Sequence, residues 1–195
     1  MKNFGMKSRM LVMSVVMGMA VFMVSCSKEE TAAPTTSDSM KNGAPAPGTD
    51  PIAQIAINAG FSELVSALSY VDGELNTGLV DLFLNGTDQY TVFAPTNAAF
   101  QNLYSALGIT QISDLPAELV RDVLLYHVVE GRRAANSVVP NNGTRDITTL
   151  LGVNFTVNTQ AQITAVGNTA NITAANISAS NGIIHVIDAV ILPIN

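Results

Sequence analysis

The sequence predicts an α+β domain with a mostly antiparallel sheet, and two observations carry that prediction. From Ile52 to Tyr126 the apolar residues recur mainly at helical spacing, and past Gly131 they alternate with period two. Asn-Gly or Gly-Asn dipeptides at 141–143, 167–168 and 181–182 punctuate the second half as turns between strands. Helices first and strands afterwards argue against a βαβ repeat and for segregated layers.

Taken in order, Asp50-Pro51 opens the first helix, with Asp50 as the N-cap acceptor and Pro51 at the first helical position. Ile52, Ile55, Ala56 and Ala59 continue it, and Gly60 closes it. Ser62 caps a second helix that buries Leu64, Ala67, Leu68 and Val71. Leu75, Leu79, Leu82 and Phe83 form a third, ending at Asn85-Gly86. Tyr90–Phe93 is a strand of β-formers, broken by Ala94-Pro95 because proline has no N–H for a ladder. Thr96 then caps a helix over about 97–107, with Phe100, Leu103, Tyr104 and Leu107 inward. Pro116 starts another helix that runs to Tyr126. Strands are expected at Asn154–Asn158, Gln162–Val166, Asn171–Thr173 and Ile183–Ile187.

The N-terminus is a different kind of segment. Lys2, Lys7 and Arg9 precede an apolar run from Met10 to Val24, which is shorter than the about 20 residues a membrane span needs and fits an export signal. Met23-Val24-Ser25-Cys26 resembles a bacterial lipobox, so Cys26, the only cysteine, is the expected site of acylation and membrane attachment. Residues 27–49 hold three prolines, no aromatic residue and a single large apolar one, Met40. Such a stretch buries too little surface to offset its ordering entropy. Its opening, Ser27-Lys28-Glu29-Glu30, resembles the export tag of Bacteroidetes-type surface lipoproteins. The organisation expected is a signal peptide at 1–25, an acylated Cys26 with a disordered tether at 26–49, and one domain at 50–195. From Cys26 onward the chain carries 6 Lys+Arg against 15 Asp+Glu, a formal charge of −9. That balance argues against nucleic-acid partners, whose affinity rests on basic contacts to phosphate.

Three segments narrow the reading further: Thr91–Phe100 (TVFAPTNAAF), Leu124–Gly131 (LLYHVVEG) and Asn181–Pro193 (NGIIHVIDAVILP). In this order they resemble the fasciclin domain, an extracellular adhesion module. The resemblance implies a β-sandwich wedge with helices packed along one edge. It makes Thr91, Pro95, Thr96, Asn97, Phe100, Tyr126, His127, Asn181, Gly182, His185 and Asp188 the framework positions. In some animal members the Tyr-His segment with apolar flanks is an integrin-binding stretch, which makes Tyr126 and His127 candidate contacts. The same flanks also place the pair in the core. Near-continuous apolarity from Ile183 to Ile187 suggests a strand covered on both faces, leaving His185 and Asp188 to find internal partners. A second adhesive motif of animal members aligns with Ala174–Ser178, where only Ile177 matches, so that activity is not carried over.

Arg132, Arg133 and Arg145 are the candidate positive contact patch, against the plainer reading as solvated loop residues. Asn-x-Ser/Thr triplets at 85, 142, 171 and 176 read as turn and strand chemistry. With two histidines, no G-x-S-x-G, P-loop or H-E-x-x-H, and no cysteine besides Cys26, neither an enzyme, a metal site nor a cofactor is expected. The resulting expectation is a lipid-anchored adhesion module, displayed on the outer membrane of a Bacteroidetes-like cell. It would contact other cells, matrix protein, polysaccharide or a second copy of itself. A periplasm-facing structural role is the alternative. An enzyme or small-molecule binder would need a deep pocket exposing His127, His185 or Asp188.

Overall fold

Helical spacing and strand alternation resolve into six helices and seven strands in a computed structural model that describes residues 44–194. The signal segment, Cys26 and all but the end of the tether lie outside the described residues. In chain order the elements are α1 (Ile52–Asn58), α2 (Ser62–Leu75), α3 (Leu79–Asn85), β1 (Tyr90–Pro95), α4 (Asn97–Leu107), a 3-10 turn (Ile112–Asp114), α5 (Ala117–Tyr126), β2 (Val128–Glu130), α6 (Ala135–Val138), β3 (Thr144–Thr148), β4 (Asn154–Asn158), β5 (Gln162–Thr164), β6 (Thr169–Ala179) and β7 (Gly182–Ile187).

The helix interiors follow the expected faces, but most of the caps come from elsewhere. Only α4 is capped as expected, by Thr96 Oγ1 accepting from the Ala99 N–H at 3.2 Å. Pro51 rather than Asp50 is the N-cap of α1, and the Ile52 N–H donates to Asn181 Oδ1 at 2.8 Å. Ser62 is already helical in α2. The α2 Glu63 N–H donates to Asn97 Oδ1 (3.2 Å), and Asn97 Nδ2 returns a bond to Gly60 O (2.9 Å). At α3 both carboxylate oxygens of Asp72 accept, from Leu79 N–H (2.9 Å) and Val80 N–H (2.7 Å). Burial raises the Asp72 pKa, but the bonds from Thr77, Val80 and Leu79 outweigh it and hold the carboxyl below its ordinary range. Gly60 closes α1 as expected. At φ +77° it lets the Gly60 and Phe61 N–H groups reach Ile57 O and Ala56 O, the paired bonds of a Schellman end. Leu75 belongs to α2, and Leu107, at the last position of α4, is half exposed rather than inward.

Pro95 does not break β1; the strand runs through it and pairs it with Ile187. The period of two explains why. Tyr90 and Thr96 N–H donate toward β7, at Asn181 O and Ile187 O, whereas Phe93 N–H donates to His127 O on the β2 side. The Pro95 nitrogen therefore faces the β2 side, past the point where that pairing has ended, and its missing N–H costs no ladder bond.

The strands form one mixed sheet in the order β2-β1-β7-β6-β5-β4-β3. Every pairing is antiparallel except β1 with β7. β6 is much longer than the Asn171–Thr173 expected for it. Its first residues pair with β5 and the rest with β7, with register shifts between Ile172 and Ile177. Those irregularities let the sheet turn on itself. Phe93, Ile172 and Ile187 from one half share a core with Ile147, Phe155, Val157 and Ile163 from the other. The Leu150 N–H, just past β3, donates to Val128 O of β2 at 2.7 Å and draws the two ends of the sheet together. On the outer side of β1 and β7, Val92, Ala94 and Ile184 pack under α2, α4 and α5 in a second core with Leu64, Phe100, Tyr104 and Leu124. The central parallel pair is thus covered on both faces.

The last residues of the expected tether are bound to the domain. Arg132 Nη2 donates to Pro45 O (3.1 Å) and Ala46 O (3.3 Å), and the Gly48 N–H donates to Ala179 O (3.2 Å).

Asn181 is the test of this capping scheme, since Asn181→Ala removes the α1 cap and leaves the Phe83 carbonyl that Nδ2 serves without a donor. It should lower the unfolding free energy by about 2–4 kcal/mol. Asp50→Ala, which removes no cap bond, should change it by less than about 0.5 kcal/mol. Urea unfolding of the two variants distinguishes them, and equal losses would refute the assignment.

Candidate functional site

The Tyr-His pair sits where α5 runs into β2, and both side chains are buried. Tyr126 stands edge-on to Phe155 with ring centroids 5.9 Å apart, and its hydroxyl donates to Asn154 O at 2.9 Å. His127 Nδ1 meets Val123 O at 2.7 Å, and Nε2 meets the Ile191 amide at 3.0 Å. A carbonyl can only accept and an amide N–H can only donate, so the proton is on Nδ1 and Nε2 is bare. The ring satisfies one of the last α5 carbonyls and anchors the chain after β7. A helix C-terminus ordinarily favours a charged imidazole. Here burial wins and drives the pKa down to about 4.

His185 lies beside Phe93 in the parallel register, with ring centroids 5.5 Å apart, and is also buried. Its Nε2 donates to Arg133 O (2.9 Å), and its Nδ1 accepts from the Asn176 N–H (3.3 Å), which fixes the opposite tautomer. Burial lowers its pKa to about 4 as well. Thr91 and Asn176 hold the same loop from other directions. Thr91 Oγ1 donates to Gly131 O at 2.6 Å and accepts from the Arg133 N–H at 2.8 Å. Asn176 Oδ1 accepts from the Ala135 N–H at 2.8 Å. Asn176 does this from a left-handed conformation, φ +62°, inside the irregular stretch of β6. The segment from Gly131 to Ala135 is therefore clamped by β1, β6 and β7 together.

Asp188 does not join His185. It is exposed past the end of β7 and accepts from Asn171 N–H (2.7 Å) and Asn171 Nδ2 (2.9 Å). Arg132 is turned inward as a clamp. Its Nη1 donates to Ala179 O at 2.9 Å and also to Gly182 O, and its Nη2 donates to Ser178 Oγ at 2.5 Å. Arg133 Nε reaches Glu130 O (3.4 Å), and Arg145 Nη1 reaches Asn136 O (3.3 Å). Sequence reasoning passed over Arg121, which pairs with Asp122 at 2.7 Å on the surface of α5. The clamp made by Asn176 was not foreseen either: the triplet there was read as turn and strand chemistry, and the strand expected nearby ended at Thr173.

Pro95, Thr96, Asn97 and Phe100 build the β1–α4 corner, and Gly182 is the point where a Cβ would strike Tyr90 O and Ile52 Cδ1. Among the described residues, no group of three or more His, Cys, Asp or Glu is placed to hold a metal ion, and no helix is long and apolar enough to cross a membrane.

Comparison with known proteins places these contacts in context. The pattern of the fasciclin domain family matches residues 59–193. The immunogenic protein MPB70 of Mycobacterium bovis is 39% identical over 148 residues, covering 74% of this chain and 69% of that protein. The cell surface glycolipoprotein MPB83 of the same species is 39% identical over 147 residues, 74% of this chain and 61% of that one. Protein sll1483 of Synechocystis is 35% identical over 136 residues, 70% of this chain and 69% of it. Among solved structures, a FAS1 domain pair from the insect cell adhesion molecule Fasciclin I superposes with a TM-score of 0.47 at 17% identity, covering 67% of this chain and 45% of that chain.

The two buried imidazoles set a pH dependence. Folded, each stays neutral down to about pH 4, whereas the ordinary value is 6.5. Between those limits the unfolded chain binds more protons, so stability rises with pH there. The contribution is complete above pH 6.5 and is lost as pH falls toward 4, on the order of 3 kcal/mol per histidine. Denaturation midpoints across pH 4.5–7.5 should trace this slope, and His127→Ala should flatten it while destabilising the fold at pH 7.5. In nitrogen-15 NMR neither ring should titrate above pH 5. An imidazole titrating near 6.5 would overturn the burial argument.

Proposed function

We propose that this chain, which belongs to the fasciclin domain family, works as a lipid-anchored adhesion module of the cell envelope. Its similarity to a protein named a cell surface glycolipoprotein carries the reading. The lipobox-like Met23-Val24-Ser25-Cys26 supports it, with Cys26 as the acylated residue that holds the chain to the outer membrane. The contacts are non-covalent, with another cell, with matrix protein or polysaccharide, or with a second copy of the chain. No catalytic role is assigned, because the two histidines already use both ring nitrogens on backbone groups.

The geometry bears on where such contacts form. Tyr126, His127 and His185 present no side chain to a partner, and the Arg132 guanidinium is spent on the domain's own groups. Contact then falls to the exposed loops and strand edges. Arg133 and Arg145, each bound by one long hydrogen bond, are the basic side chains of the original patch with donors to spare.

Cys26→Ser tests the anchor. The variant should leave the washed membrane fraction and appear in the soluble fraction, and its retention on membranes would count against acylation. Protease treatment of intact cells tests display: the wild-type domain should be degraded, while survival would favour the periplasm-facing alternative. Cells releasing the Cys26→Ser form should settle and adhere to matrix-coated surfaces less than wild type. Equal adhesion would remove the adhesive role.

A further inference from the structure

We propose that the helical half of the domain takes up the hydrocarbon chain of a neutral single-chain amphiphile, in a cleft bounded by α2, α4, α5 and the C-terminal segment 190–194. The cleft has a volume of about 140 Å³. Leu64 and Ala67 of α2, Phe100 of α4, Val120 and Val123 of α5, and Val190 beyond β7 form its walls. An apolar cavity of about 150 Å³ lined by such side chains stays dry and accepts a benzene-sized guest. A second cavity of about 60 Å³ lies toward α1 and α3 and shares Leu64, Leu124 and His127 with the first. The two cavities therefore have three wall side chains in common.

Two features separate this site from an ordinary packing defect. It opens to the surface, and its rims hold apolar side chains where solvent would favour polar ones. Of the five large apolar side chains exposed among the described residues, Leu107 and Ile194 stand at the first cavity and Ile57 at the second. Neither lining contains a charged residue. Its polar members are Ser69 and His127, and both His127 nitrogens are already engaged by Val123 and Ile191. The walls thus recognise hydrocarbon and nothing polar.

The head group is neutral by the same reasoning. The domain's basic side chains are Arg121, Arg132, Arg133 and Arg145, and none lines either cavity. Arg121, the one on a neighbouring helix, is paired with Asp122. A carboxylate at the rim has no cation to meet in a domain whose formal charge is negative.

Titration of the carbon-13-methyl-labelled chain with n-octanol tests the site, with sodium octanoate as the charged control. The expected result is saturable shifts at Leu103, Val123 and Leu192, a rise of a few degrees in Tm, and at least tenfold weaker binding of octanoate. Leu107→Glu puts a charge on an exposed rim position and should weaken octanol binding at least tenfold while leaving Tm without ligand unchanged. Ala67→Leu fills the cavity and should abolish binding; if that variant does not fold, Leu107→Glu still decides. Phosphatidylcholine vesicles carrying monooctanoylglycerol form a second arm, which separates uptake from a membrane from uptake out of solution. Shifts that do not saturate, or that persist equally in Leu107→Glu, overturn the proposal. Octanoate binding as tightly as octanol overturns the neutral head group. Self-association that buries Leu107 and Ile194 and resists octanol assigns the rim to a second copy instead, and also overturns it.

Discussion

The carboxamide of Asn181 is the contact on which the rest of the architecture depends. It sits in the β6–β7 turn, almost wholly buried, and serves three elements from one position. Its Oδ1 caps α1, its Nδ2 satisfies a terminal carbonyl of α3, and its backbone oxygen accepts the first bond from β1. A parallel pair such as β1–β7 has no tight turn to set its register. Here Asn181 and Gly182 set it, because the only residue that fits against Tyr90 O and Ile52 at position 182 is one without a Cβ. Once Tyr90 faces Gly182, Phe93 must face His185 and Pro95 must face Ile187. The central strand pair and the two helices over its start are therefore fixed by one hairpin tip.

The same device recurs at other polar side chains, some inside the segments that resemble the fasciclin domain and some, such as Asp72 and Asn176, outside the framework positions. Asn97 joins the start of α2 to the end of α1, Asp72 joins α2 to α3, and His127 joins α5 to the chain beyond β7. His185, Thr91 and Asn176 close on the loop from Gly131 to Ala135. Each is a polar side chain paired with backbone that has no partner of its own in a helix or ladder. Burying such groups unpaired is costly, and among the described residues no buried side-chain nitrogen or oxygen lacks a partner. Thr91, Asn97, His127, Asn181 and His185, polar positions of the fasciclin-like segments, are thus part of the fold's internal wiring. That is why the residues that name the family are poor candidates for the surface that meets a partner.

Legibility in the sequence followed the range of the interactions. Thr96 caps α4 from the adjacent position, so local reading found it, and the buried face of α2 came from spacing alone. The cap of α1 was out of reach because its acceptor lies at the opposite end of the chain, and Asp50, the plausible local choice, is not used. β3 was missed because Thr-Arg-Asp-Ile-Thr offers a single apolar residue, Ile147, to the core. β2 was hidden because its three residues continue the apolar run of α5. β6 was read short because the irregularity around Asn176 breaks the alternation that period-two reading requires. The Tyr-His pair was the clearest ambiguity, and its local sequence fits either role. Only the placement of Asn154, Val123 and Ile191 shows that every polar atom of the pair points inward.

This wiring also explains why the two cores differ in how fully they are packed. In the sheet-enclosed core the aromatic rings of Phe93, Tyr126 and Phe155 meet edge to face, and long strands bring side chains from both halves into contact. In the helical core, α1 and α3 have only seven residues each. Helices that short gain little stability of their own. Hydrogen bonds at their ends hold them, from Asn181 and Asp72, so their positions are set at the caps rather than by interdigitating side chains. A layer placed by its ends need not close over its middle, and the smaller cavity, of about 60 Å³, lies beside α1 and α3, bordered by the same His127 that ties α5 to the chain beyond β7. Polar wiring that fixes the fold has left apolar volume unfilled beside it.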